Sequence, residues 1–121
     1  MAFEGDSRGH LKVRDILTMN GFEFKEEYSF EDLVASSGRP LRFDFMVFDD
    51  GGNIDFAIEV NGRQHYEAVS AFGGKKKFRS QKYNDNQKRR YCIKNNIPLV
   101  EIPHWELEIV DINYLMEKAG I

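Results

Sequence analysis

The stretch Leu41–Tyr66, LRFDFMVFDDGGNIDFAIEVNGRQHY, constrains the fold more than any other part of the chain. Two runs rich in aromatic and aliphatic residues flank Asp49-Asp50-Gly51-Gly52, a sequence suited to a tight turn. The unit reads as a β-hairpin. Strand side chains alternate, so in Leu41–Phe48 one side takes Phe43, Phe45 and Val47, and the other takes Arg42, Asp44, Met46 and Phe48. In the second strand Ile54, Phe56, Ile58 and Val60 share a side, opposed by Asp55, Ala57 and Glu59. If Phe48 pairs with Asn53, Asp44 faces Ala57 and has Glu59 as a diagonal neighbour. A loop two residues longer puts Asp44 directly opposite Glu59. Either register leaves the carboxylates about 5–8 Å apart.

The elements around this hairpin predict a single domain, as the length of 121 residues does. A first helix is expected over residues 7–20, capped by Asp6 or Ser7 and stopped at Asn20-Gly21. Its stripe is Val13, Ile16 and Leu17, and His10 shares the inward side. Phe22–Tyr28 reads as an edge strand and Ser29–Pro40 as a turn and loop. Gly62–Gly74 is expected to be a loop and Lys75–Asn95 a long helix, with Phe78, Lys82, Asp85, Arg89 and Cys92 along one stripe. Ile97–Ile102 fits a buried strand, although Pro98 limits its pairing. Pro103-His104-Trp105 is a turn, and Asp111 caps a last helix, Ile112–Lys118. The order α-β-β-β-α-β-α predicts an α/β (α+β) fold, a small mixed β-sheet flanked by helices.

With 41% hydrophobic residues the chain can bury a core. No apolar run approaches the roughly 18 residues a membrane helix needs, and the start MAFEGDSRGH has no secretory h-region. A single cysteine, Cys92, excludes a disulfide framework and a cysteine zinc site. A cytoplasmic setting is expected. Net charge is −3, yet the stretch 75–94 holds nine basic residues and one acid, Asp85. Lys75, Lys76, Lys77, Arg79, Lys82, Lys88 and Arg89 therefore form a candidate polyanion contact, or else a solvated helix face.

Asp44 and Glu59 on one face of a hairpin need compensation for their mutual repulsion. A hard divalent cation, Mg²⁺ or Mn²⁺, would supply it through oxygen ligands, unless the pair is ordinary surface acid. His65, in the loop after the second strand, has a side chain suited to general-base work, or is simply an exposed histidine. Asp85 could orient it, or could neutralise Lys82 or Arg89 on its own helix.

Asp44 in RFDF, Glu59 in IEVNGRQHY, the helix QKYNDNQKRRYC and the closing NNIPLVEIP together resemble the PD-(D/E)xK nuclease superfamily. The resemblance is to the branch of very short patch repair-like and EDxHD homing endonucleases, and it covers roughly Ser7 to Trp105. It implies a restriction-endonuclease-like core and metal-dependent hydrolysis of DNA phosphodiesters, in a phage- or mobile-element-encoded enzyme. By position it makes Asp44 and Glu59 metal ligands, with the Val60 carbonyl a third donor. His65 and Asp85 match a water-activating pair, and Gln64 would contact the scissile phosphate or a metal-bound water. The sequence departs from the pattern twice. Asn61 stands where a lysine is expected, with Lys82 a candidate replacement cation. His10 stands where the first helix would carry a glutamate, as a metal or phosphate contact or as a packed core histidine. No recognition module is evident, so specificity would come from DNA structure, a second copy of the chain or a separate partner.

Overall fold

A computed structural model describes residues 8–62, 66 and 74–121. The expected caps Asp6 and Ser7, and with them Gln64 and His65, lie outside the described residues. Among the described residues the elements are α1 (Arg8–Met19), β1 (Glu23–Val34), β2 (Pro40–Phe48), β3 (Ile54–Asn61), α2 (Gly74–Lys94), β4 (Leu99–Pro103), a 3-10 helix (His104–Ile109) and α3 (Ile112–Ala119). The fold is mixed α/β in the expected order. Its four strands lie side by side as β1-β2-β3-β4. β1 to β3 are antiparallel neighbours, whereas β4 runs parallel to β3. A parallel pair requires a crossover, and α2 provides it.

Helices cover both faces. Val13 and Leu17 of α1 pack with Leu115 and Ala119 of α3 over Phe45, Val47, Phe56, Ile58, Val100 and Ile102. On the opposite face Cys92 of α2 and Ile97 pack over Leu33, Leu41, Phe43, Met46 and Ala57. Each fully buried side chain of this size contributes roughly 1.5–3 kcal/mol. Asp111 caps α3 as expected, accepting from the Tyr114 N–H at 2.8 Å. No helix among the described residues is long and apolar enough to cross a membrane.

Three sequence expectations need correction. β1 continues to Val34, well past Tyr28, because Phe30 and Leu33 pack into the α2-side core. The turn is confined to residues 35–39, closed by the Ala35 N–H donating to the Arg39 carbonyl at 2.8 Å. Pro103-His104-Trp105 is not a simple turn, since His104 opens a six-residue 3-10 helix. Finally, Phe43 does not share a face with Phe45 and Val47: it packs toward α2, they toward α1.

The cause of that last difference lies across the ladder. Phe24 packs toward α1 and Glu26 bonds to α1 side chains, yet Tyr28 and Phe30 pack toward α2. Uniform alternation would keep all four on one face. Between them Glu27 adopts φ 52°, a left-handed conformation costing a non-glycine residue about 1 kcal/mol or more. Register places Glu27 across from Asp44, between the pairs Glu26↔Phe45 and Tyr28↔Phe43. Both strands thus change face at one level, and Asp44 sits at that level.

Candidate functional site

A bulge decides the hairpin register. Phe48 pairs with Ile54, the ladder shifts by one residue, and Phe45 then pairs with Ile58. Continued one step, this register sets Asp44 opposite Glu59, the second of the two expected alignments. The backbone ladder between β2 and β3 stops just short of that step. Side chains replace it. The Asp44 N–H donates to Glu59 Oε1 at 2.9 Å, and the Val60 N–H donates to Asp44 Oδ2 at 2.7 Å. Each acid therefore satisfies a backbone donor on the other's strand. The N–H and C=O of one strand residue face the same neighbour, so the Val60 carbonyl is directed toward β2 as well.

Glu59 is 5% exposed and faces α2. There Lys88 Nζ donates to Glu59 Oε2 at 2.8 Å, and Lys88 itself is only 9% exposed. Burial first, and then the charge of Asp44, push the Glu59 carboxyl up from 4.5 to about 7, against the opposing pull of Lys88. Between those values the folded chain holds a proton that the unfolded chain has released. The associated stability is complete below about 4.5 and is lost as pH rises through about 7. Thermal unfolding in EDTA should therefore show the midpoint falling between pH about 5 and about 8, and Glu59→Gln should flatten that fall.

A second polar group lies beside the first. β3 and β4 pair Glu59 with Glu101 and Asn61 with Pro103. Arg89 of α2 grips Glu101 through two bonds of 2.8 Å, and the Asn61 amide donates to Glu101 at 3.4 Å and to the Tyr66 hydroxyl at 3.3 Å. The carboxylate requires the amide nitrogen to face it, which leaves the buried Asn61 Oδ1 without a hydrogen-bond partner among the described residues. Asp85, also buried, accepts from Gln81 at 3.1 Å. Burial chiefly, with added charge from Glu101 and Asp85, raises the Tyr66 hydroxyl above its usual range.

The sequence-expected residues thus separate. Asp44, Glu59 and the Val60 backbone come together, and Asp85 is buried on α2, the helix that covers Glu59. Gln64 and His65 lie outside the described residues. His10 is a buried residue of α1, its Nε2 3.2 Å from Glu26 Oε1 and its ring 4.6 Å from that of Phe45. Hydrogen bonding from Arg14 holds Glu26 below the usual carboxylate range. Lys75, Lys76, Lys77 and Arg79 are exposed, as a polyanion contact requires. Lys88 and Arg89 are not on that solvated face: they turn inward onto Glu59 and Glu101. Lys82, the expected replacement cation, lies over the rings of Tyr66 and Phe78 at 5.3 and 5.4 Å, while Lys88 is the ammonium that reaches Glu59.

Sequence reasoning missed the Lys88 and Arg89 pairings and gave Glu101 no role. An acid inside the apolar run LVEIP was the available signal for Glu101.

No protein-family model matches the chain, and no solved structure matches it. It is similar to three curated viral proteins. Uncharacterized protein 307L of Invertebrate iridescent virus 6 is 36% identical over 85 residues, 69% of this chain but 42% of that protein. Uncharacterized protein 033L of Invertebrate iridescent virus 3 is 38% identical over 52 residues, 42% of this chain and 27% of that protein. The chain therefore spans less than half the length of these two relatives. Uncharacterized protein 094L of Frog virus 3 (isolate Goorha) is 34% identical over 117 residues, 94% of this chain and 71% of that protein. With similarity running along nearly its whole length, the chain belongs to the family of the frog virus 3 protein 094L.

Proposed function

We propose that this chain is a Mg²⁺- or Mn²⁺-dependent DNA endonuclease of the PD-(D/E)xK type, virus-encoded and acting in the host cytoplasm. The supporting observation is the reciprocal bonding of Asp44 and Glu59, which fixes two acids at one break in the sheet. The donors present suit such an ion. Among the described residues no group of three or more His, Cys, Asp or Glu side chains converges. Mg²⁺ does not need one, since it is commonly bound through one or two carboxylates and retains waters and substrate oxygens. Asp44, Glu59 and the Val60 carbonyl would hold it. When bound, the ion lowers the pKa of a water and neutralises charge building on the phosphate.

The chain's own groups do the rest. Lys88 takes the part that lysine would have at position 61, placing a cation beside the acid pair from α2 instead of β3. Asn61, with no charge to offer, ties β3 to Glu101 and Tyr66. His65 accepts the proton from water, with Asp85 orienting it and Gln64 on the phosphate. His10 serves α1 by engaging Glu26, outside the ligand set. The exposed Lys75, Lys76, Lys77 and Arg79 contact the DNA backbone, so binding weakens steeply with salt.

Supercoiled plasmid incubated with purified protein and Mg²⁺ or Mn²⁺ should be nicked or linearised, and EDTA should prevent this. The reading fails if duplex, nicked, branched and single-stranded DNA all stay intact with either ion and no metal binds.

One observation favours a second reading. Lys88 already sets a cation against Glu59 and offsets part of its charge without a metal ion. A non-catalytic nucleic-acid-binding module would keep this arrangement. DNA affinity insensitive to EDTA and to Asp44→Asn, with no cleavage, would select it.

A further inference from the structure

Next to the acid pair lies a group of rings that the proposed reaction does not use. Tyr66, His104 and Trp105 are mutually in contact: Tyr66–Trp105 at 4.6 Å, His104–Trp105 at 5.1 Å and Tyr66–His104 at 5.8 Å between centroids. Trp105 is 62% exposed, although it is the chain's one tryptophan and its largest apolar side chain. Its exposure does not come from a loosely held segment. Lys12 of α1 donates to the carbonyls of Leu107 and Glu108 at 2.8 and 3.1 Å, and the Tyr114 hydroxyl donates to Glu106 at 2.6 Å. The 3-10 helix carrying Trp105 is thus tied to α1 and α3.

Charge and position suggest what the rings meet. Lys82 holds its ammonium 5.3 Å over the Tyr66 ring, and exposed Lys75, Lys76, Lys77 and Arg79 lie further along the same helix. An aromatic surface flanked by cations suits a stacked base whose phosphates meet the lysines. Tyr66 is bonded to Asn61, which lies about 7 Å along β3 from Glu59, so the rings adjoin the strand that carries the acid pair. A base within an intact duplex has both faces stacked, and exposing one to a protein ring costs about a few kcal/mol of unstacking. An unpaired nucleotide offers a face to a protein ring without that cost.

We infer that Tyr66, His104 and Trp105 form a stacking platform for one unpaired nucleobase, making DNA with a bulged or single-stranded nucleotide the preferred substrate of the acid pair. The inference rests on the nuclease reading above and supplies its substrate class.

The lone tryptophan makes the test direct. In EDTA, which prevents cleavage, Trp105 emission is followed while three short duplexes are titrated: fully paired, with one bulged nucleotide, and with an abasic residue at the bulge. Only the bulged base should quench the emission, and it should bind about tenfold more tightly than the other two. Trp105→Ala should lose that preference and keep the affinity for paired duplex, while Trp105→Phe should keep most of both. Equal binding of all three with unchanged emission would overturn the platform and leave the nuclease reading standing. Binding to none of them would overturn the platform, while the nuclease reading is decided separately by the metal-dependent cleavage assay above. An emission shift with protein concentration and no DNA would assign the rings to a second copy of the chain, which also overturns the proposal.

Discussion

Asp44→Asn is expected to abolish metal-dependent cleavage, by about 10³-fold or more, while leaving the fold in place. The amide oxygen of asparagine can still accept the Val60 N–H that Asp44 Oδ2 now accepts at 2.7 Å. What disappears is the negative charge that a divalent ion requires. Asp44→Ala should behave differently. It leaves the Val60 N–H without its partner in a part-buried setting, at a cost of about 1–3 kcal/mol beyond the lost activity. Comparing the two separates chemistry from folding. Cleavage rates of both variants with Mn²⁺, set beside their urea midpoints, provide the check. Activity surviving in Asp44→Asn would remove Asp44 from the ion's ligands.

Lys88→Met should be the most destabilising single change in the site. It leaves Glu59, 5% exposed and beside Asp44, without the cation that now pairs with it. Removing one partner of a buried pair costs about 3–5 kcal/mol. In a chain of this size that lowers the melting temperature by about 10 °C or more. The loss should depend on pH in a defined direction. Burial and Asp44 already raise Glu59, and without the pull of Lys88 it rises further. Lys88→Met should therefore come closest to the parent at low pH, where Glu59 is protonated, and fall away as pH increases. The double variant Lys88→Met/Glu59→Gln should recover much of the stability, because neither charge remains. A double-mutant cycle over these proteins measures the coupling directly. Equal losses from Lys88→Met in the presence and absence of Glu59 would show that the pair is not coupled.

Much of the site was legible because strand alternation is a local rule. It put Glu59 on the same side as Ala57 and limited Asp44 to two positions relative to Glu59. The choice between them depended on a one-residue bulge between Val47 and Phe48, which the turn sequence does not reveal. Lys88 was harder to see. It is one of nine basic residues in its segment, and its selection over Lys82 follows from how α2 lies across the sheet. No helical periodicity carries that angle. The length of β1 was hidden for another reason. The run from Ser29 to Pro40 is polar enough to read as a loop, but Phe30 and Leu33 gain enough from burial to keep it extended. The change of face at Glu27 has no sequence signal, since no glycine marks the left-handed residue.

The break in the ladder at Asp44 also bears on how relatives of this chain can be read. Where the backbone stops pairing, the two acids join β2 to β3, so the sheet uses the same atoms that the reaction would use. A relative with no DNA cleavage to perform would still be selected to keep an acceptor at both positions, for the sake of folding alone. Retention of this aspartate and glutamate in a viral relative is therefore a mark of shared architecture, and loss of function would first be recorded elsewhere, in groups that serve no strand.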